Sequence, residues 1–85
     1  MEKFVQKLTR LLREHFENCE IELERAGPSR WGGILVWEGF AGREQIERQR
    51  EIWGILRREL TVPEQLKVAA VLTLTPEEMT AARAG

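Results

Sequence analysis

His15 and Cys19 are the only histidine and the only cysteine in the chain, and they stand four residues apart. One helical turn would bring an imidazole and a thiol to the same face, the start of a metal site. A structural zinc ion needs more donors than two, and Cys19 falls where the helix should already be ending. The pair therefore reads as a helix-terminal histidine favoured by the dipole and a small buried thiol. Cys–His catalysis would also require a third group to orient the base, and none stands nearby. Ser29 sits in a turn with no cue for a base beside it. Glu20, Glu22 and Glu24 could be read as a cation site, but alternating glutamates mark the solvated side of a strand. Gly39-Phe40-Ala41-Gly42 lacks the lysine and the length of a phosphate-cradling loop. No catalytic constellation emerges, so the expectation is a protein that binds rather than an enzyme.

Nucleic-acid contact is the next chemistry to weigh. Arg43, Arg48, Arg50, Arg57 and Arg58 fall within one helical stretch, interleaved with Glu44, Glu47, Glu51 and Glu59. Glu44 and Arg48 have the i,i+4 spacing of a favourable pair, so the stretch reads first as a salt-bridged exposed face. The Gly-x-x-Gly string at 39–42 matches the loop of KH domains, but that loop joins two helices and this one follows a strand. A net charge of −1 argues against a general polyanion binder.

These residues must be positioned by a small scaffold. Eighty-five residues suffice for one domain with a thin core, and 42% apolar with 32% charged residues is a globular balance. The single cysteine rules out an internal disulfide. No apolar run resembles a signal peptide or reaches the length of a membrane span, so a reducing, cytoplasmic setting is expected. Phe4, Val5, Leu8, Leu11, Leu12 and Phe16 recur with helical spacing, and Asn18 is a suitable terminator. From Cys19 to Arg25 the period becomes two, a half-buried strand. Ala26-Gly27-Pro28-Ser29 is a turn, and Trp31 to Trp37 is its hairpin partner, with Gly32 and Gly33 leaving room for close approach.

That second strand is apolar on both faces, with Trp31, Leu35 and Trp37 on one and Ile34 and Val36 on the other. If helices cover one face only, some of these side chains form an open interaction surface; alternatively the tryptophans fill the core. A helical stretch from Arg43 to Leu60 follows, with an apolar stripe of Ile46, Ile52, Trp53, Leu56 and Leu60. Gly54 marks either a tight helix–sheet contact or a division into two helices. Thr61-Val62-Pro63 ends the stretch. Val68 to Leu74 reads as a buried strand, and Thr75-Pro76-Glu77-Glu78 is a capping box opening a last helix. The connection between the second and third strands is long enough for a crossover, which makes them parallel. The fold class is α/β (α+β): a three-stranded mixed sheet with helices packed on one face, in one domain spanning 1–85.

The order of elements and several short blocks together resemble the BolA-like family, whose fold is class II KH-like. Ser29-Arg30-Trp31 resembles the Ser-His-Phe that opens the second strand in many members, and Phe40-Ala41-Gly42 the Phe-x-Gly that follows it. Ile46 to Trp53, followed by Leu56, is similar to the signature helix, with Gln49 matching the branch that carries glutamine. Leu74-Thr75-Pro76-Glu77-Glu78-Met79 resembles the closing Thr-Pro-x-Glu-Trp. The likeness runs from Ile21 to Met79.

The resemblance implies a non-catalytic adaptor that partners monothiol glutaredoxins and shares in iron–sulfur cluster handling; some members are linked to transcriptional regulation. It places partner contacts at Lys67, Arg48, Gln49, Arg50 and Trp53. Three departures matter, the first being Met79 where the family usually has tryptophan. Lys67 stands where the family's ligand histidine opens the third strand, with Gln65 close by, and a charged lysine has no free lone pair. The hairpin that often supplies a second ligand offers Gly27, Pro28, Ser29 and Arg30. No cofactor or metal ligand of this chain is therefore expected, and a shared cluster is implied only by the family. Two alternatives stand beside the adaptor: a KH-like regulator using the five arginines, and self-association through open-sheet apolar residues.

Overall fold

The computed structural model describes residues 3–84. Helix α1 (Lys3–His15) leads into strands β1 (Glu20–Gly27) and β2 (Arg30–Val36), followed by a 3-10 turn at Glu38–Phe40. Helices α2 (Gln45–Glu59) and α3 (Val62–Gln65) then cross to β3 (Val68–Leu74), and α4 (Pro76–Ala84) closes the chain. The sheet order is β1-β2-β3, with β1 antiparallel and β3 parallel to β2. The fold class and the parallel crossover are those expected from the length of the connection.

Local chemistry explains most boundaries. Asn18 has φ 62, the left-handed conformation that stops a helix, although α1 itself ends at His15. The hairpin pairs Gly27 with Arg30 around Pro28 and Ser29, and Ser29 also takes a positive φ, 59. At Thr75 the expected box is present: Thr75 N–H donates to Glu78 Oε1 at 2.8 Å, and Glu78 N–H donates to Thr75 Oγ1 at 3.1 Å.

Several expectations need correcting. Thr61-Val62-Pro63 is not merely a stop. Thr61 caps α3 through a second reciprocal box with Glu64, and Pro63 occupies the first turn, where its missing N–H costs nothing. Gly54 neither divides α2 nor meets the sheet, since an added Cβ there would find open space. Gly33 is the close approach, with Leu23 Cδ2 2.9 Å from where a Cβ would stand. Ile46 lies off the apolar stripe, 56% exposed, while Ile55 takes a place in the core.

One cluster unites the elements: Phe4, Leu8, Leu11 and Leu12 from α1, Ile52, Ile55 and Leu56 from α2, and Leu35, Val68 and Val71 from the sheet. Phe16 and Phe40 are fully buried, each worth about 2 kcal/mol by area removed from water. Trp37 stands edge-on to both, at centroid distances of 5.0 and 5.1 Å, and its indole N–H donates to Glu17 O. For Trp37 the core reading therefore holds, and Trp31 likewise packs against the cluster, half-buried. On the far face of the sheet Ile34 is half-buried and Leu72 is 57% exposed.

Candidate partner-binding site

The helix that carries most of the proposed contacts lies along the outer edge of β3. Trp37 N–H donates to Leu74 O, so the Leu74 carbonyl faces β2. Alternation then turns the carbonyls of Val71 and Thr73 outward, where no further strand among the described residues receives them. Three α2 side chains take their place. Gln49 Nε2 donates to Val71 O at 2.7 Å, while Gln45 Nε2 and Arg48 Nη1 donate to Thr73 O at 2.9 and 3.1 Å. Thr73 Oγ1, buried to 1% exposure, donates to Gln45 Oε1 and accepts from Gln49 Nε2. The helical spacing of 45, 48 and 49 makes this possible, because residues three and four apart share a face.

Arg48 goes deepest. It is 4% exposed; Nε donates to Arg43 O and the guanidinium forks onto Glu78, at 2.7 Å from Nη1 and 3.3 Å from Nη2. Its other face lies over Phe40, 5.6 Å from the ring centroid. The expected partner Glu44 is not the one used. The Arg48 guanidinium holds the Glu78 carboxyl down to about 2, with the Thr75 N–H bond adding to it. Glu64 is likewise lowered to about 2, first by Lys7 Nζ and then by the Thr61 N–H.

The residues expected to make contacts thus separate. Arg48 and Gln49 are turned to the β3 edge, and Arg48 is not a surface cation. Arg43 pairs with Glu51 and covers Phe40, while Arg50, Arg57 and Arg58 are exposed. Trp53 is half-buried against the core. Lys67 precedes β3, half-buried, with Nζ 5.3 Å from the Phe4 ring centroid. The Gly39–Gly42 string joins the 3-10 turn to α2, and its Phe40 belongs to the core. Reasoning from sequence missed Gln45 and Thr73, and it read Glu78 as a capping residue without its ion pair to Arg48. A threonine inside an otherwise apolar strand was the available signal for the polar layer it anchors.

The structure also brings the hairpin and the start of β3 together, since Trp31 N–H donates to Lys67 O at 2.7 Å. The side chains at this corner are Pro28, Ser29, Arg30 and Lys67, with Arg25 stacked 5.0 Å over Trp31. A hydroxyl and three cations do not fit an iron–sulfur cluster, which is held by thiolate or imidazole. Cys19 precedes the opposite end of β1, a strand of eight residues away, roughly 25 Å at the usual rise. His15 is exposed, and burial pushes the Cys19 thiol up. Among the described residues no three His, Cys, Asp or Glu side chains converge as a metal site, and no helix is long and apolar enough to cross a membrane.

An α1-β1-β2-α2-α3-β3-α4 chain with one mixed three-stranded sheet is a BolA-like fold. Solved structures with this fold include BolA1 from Arabidopsis thaliana, at TM-score 0.70 and 22% identity over 92% of this chain and 98% of that one. The BolA domain of SufE1 from Arabidopsis thaliana matches with TM-score 0.70 and 20% identity, over 92% and 98% of the two chains. A bol-like protein from Babesia bovis matches with TM-score 0.55 and 19% identity, over 98% and 93%. No family model and no curated protein matches the sequence. The likeness is one of backbone architecture.

Proposed function

We propose that this protein is a BolA-like adaptor that binds a protein partner at the α3–β3 corner without contributing cluster ligands of its own. One observation carries the reading. Val62 and Leu66, four residues apart on α3 and its C-cap, are 68% and 70% exposed immediately before Lys67. A short capped helix gains nothing from presenting valine and leucine to water, and paired exposed apolar side chains mark contact surfaces. The family resemblance adds Arg50 and Trp53 on α2 to the candidate contacts, the first exposed and the second half-buried.

The family resemblance suggests a monothiol glutaredoxin as the partner. Size-exclusion chromatography of the two purified proteins, with and without a preloaded iron–sulfur cluster, tests this. A complex should form in both conditions, and Leu66→Glu should abolish it while the fold persists. Failure to form a complex in either condition rejects the glutaredoxin assignment. Of the arginines that a nucleic-acid role would use, only Arg50, Arg57 and Arg58 are exposed, and no observation favours that alternative.

A further inference from the structure

The sheet has two edges, and the molecule treats them differently. The outward carbonyls of Val71 and Thr73 on β3 are occupied by Gln49, Gln45 and Arg48. Among the described residues nothing comparable binds the outer backbone edge of β1, which keeps regular register from Glu20 to Arg25 before its irregularity. An edge left open over six residues is a template for another strand.

The surroundings of β1 specify what that strand should be. Between β1 and α1 runs a groove of about 730 Å³ floored by Val5, Ile21 and Leu23, with Arg10, Arg13 and Glu14 at its rim. On the opposite side of β1 stand the exposed Glu20, Glu22 and Glu24; Arg83 of α4 reaches Glu22 at 3.5 Å, while Glu20 and Glu24 have no ion-pair partner among the described residues. A strand added here would alternate its side chains between the apolar groove and the glutamate row. A second copy of β1 is a poor fit. In-register antiparallel pairing sets glutamate against glutamate, and a one-residue slip turns the glutamates into the groove.

We propose that the β1 edge docks an extended segment of a protein partner, with lysine or arginine facing the Glu20–Glu22–Glu24 row and apolar residues plus one carboxylate facing α1. This surface is separate from the α3–β3 corner and does not depend on the adaptor reading.

The probe is an acetylated, amidated peptide, Lys-Val-Lys-Val-Lys-Asp-Lys, titrated into the isotope-labelled full chain and followed by NMR with amide hydrogen exchange. The comparison peptide has the same composition with its lysines in one block. The alternating peptide should protect alternate amides within 20–25 and bind about tenfold tighter than the block peptide, since only register separates them. N-methylation of its amides that face β1 should abolish binding, whereas N-methylation of the other set should not. Glu24→Lys, at an exposed position, should weaken the alternating peptide about tenfold without altering the fold. Absence of binding, equal binding of the two peptides, equal tolerance of both N-methyl sets, or perturbations confined to 68–74 each overturns the proposal. A glutaredoxin complex that survives Glu24→Lys would show that the two surfaces are distinct.

Discussion

Arg48 and Glu78, thirty residues apart, form a forked ion pair that ties α2 to the first turn of α4 while the same guanidinium holds Thr73 O of β3. Three elements therefore meet at one side chain. Arg48→Met should preserve the apolar stem and cost about 2–3 kcal/mol, the worth of charge-assisted bonds lost in a buried setting. Arg48→Lys should not rescue it, because an ammonium cannot fork onto Glu78 and reach two carbonyls at once. Urea unfolding measures the loss. A variant with unchanged stability but weaker partner binding would instead put Arg48 in the interface.

Acid should act through Glu78 and Glu64. Both carboxyls are held at about 2 in the folded chain, chiefly by Arg48 and Lys7 respectively, against an ordinary value of 4.5. A depressed folded value means that the unfolded chain takes up protons first. The stabilisation is complete above about pH 4.5 and is lost as the pH falls toward 2. Thermal unfolding between pH 5 and 2 should show a steep decline, and the double variant Glu64→Gln/Glu78→Gln should flatten it.

Gln49 holds Val71 O, whereas Thr73 O has both Gln45 and Arg48. Gln49→Leu should destabilise by about 1 kcal/mol and also open the β3 edge to intermolecular pairing. Analytical ultracentrifugation should show concentration-dependent association for Gln49→Leu. Gln45→Ala, with Arg48 still in place, should stay at the wild-type mass.

A Cβ at Gly39 would overlap the six-membered ring of Trp37. Gly39→Ala should push the indole away from Phe16 and Phe40 and cost about 1–3 kcal/mol, the usual penalty for overpacking. The near-UV circular dichroism of Trp37 should change more than the far-UV spectrum.

Ser29 occupies the left-handed region at φ 59 in a two-residue hairpin loop. Ser29→Gly should remove about 1 kcal/mol of backbone strain and raise the melting temperature. An unchanged or lower value would mean that the added freedom of the unfolded chain outweighs the relief.

Sequence alone determined whatever depends on near neighbours. The period-two run at Ile21 and Leu23, the helical spacing of Phe4 to Phe16 and the Thr75–Glu78 box each encode their element within a few residues, because hydrogen bonding and burial there are local. The length of the 37–67 connection was enough to make β3 parallel to β2. The side-chain partners across that connection depended on tertiary structure. Arg48 reads as a surface cation beside Glu44, and only the packing of α2 along β3 offers it Glu78, Thr73 O and Phe40 instead. Ile46 reads as core, yet the angle of α2 exposes it and turns the neighbouring Gln45 onto the Thr73 carbonyl. His15 and Cys19 stand four apart in sequence, but α1 ends at His15 and the chain turns at Asn18, so one helical face does not carry both. The expectation of a binding protein rather than an enzyme rests on an inventory of one histidine and one cysteine. Which edge of the sheet is sealed and which stays open was decided by where α2 comes to rest.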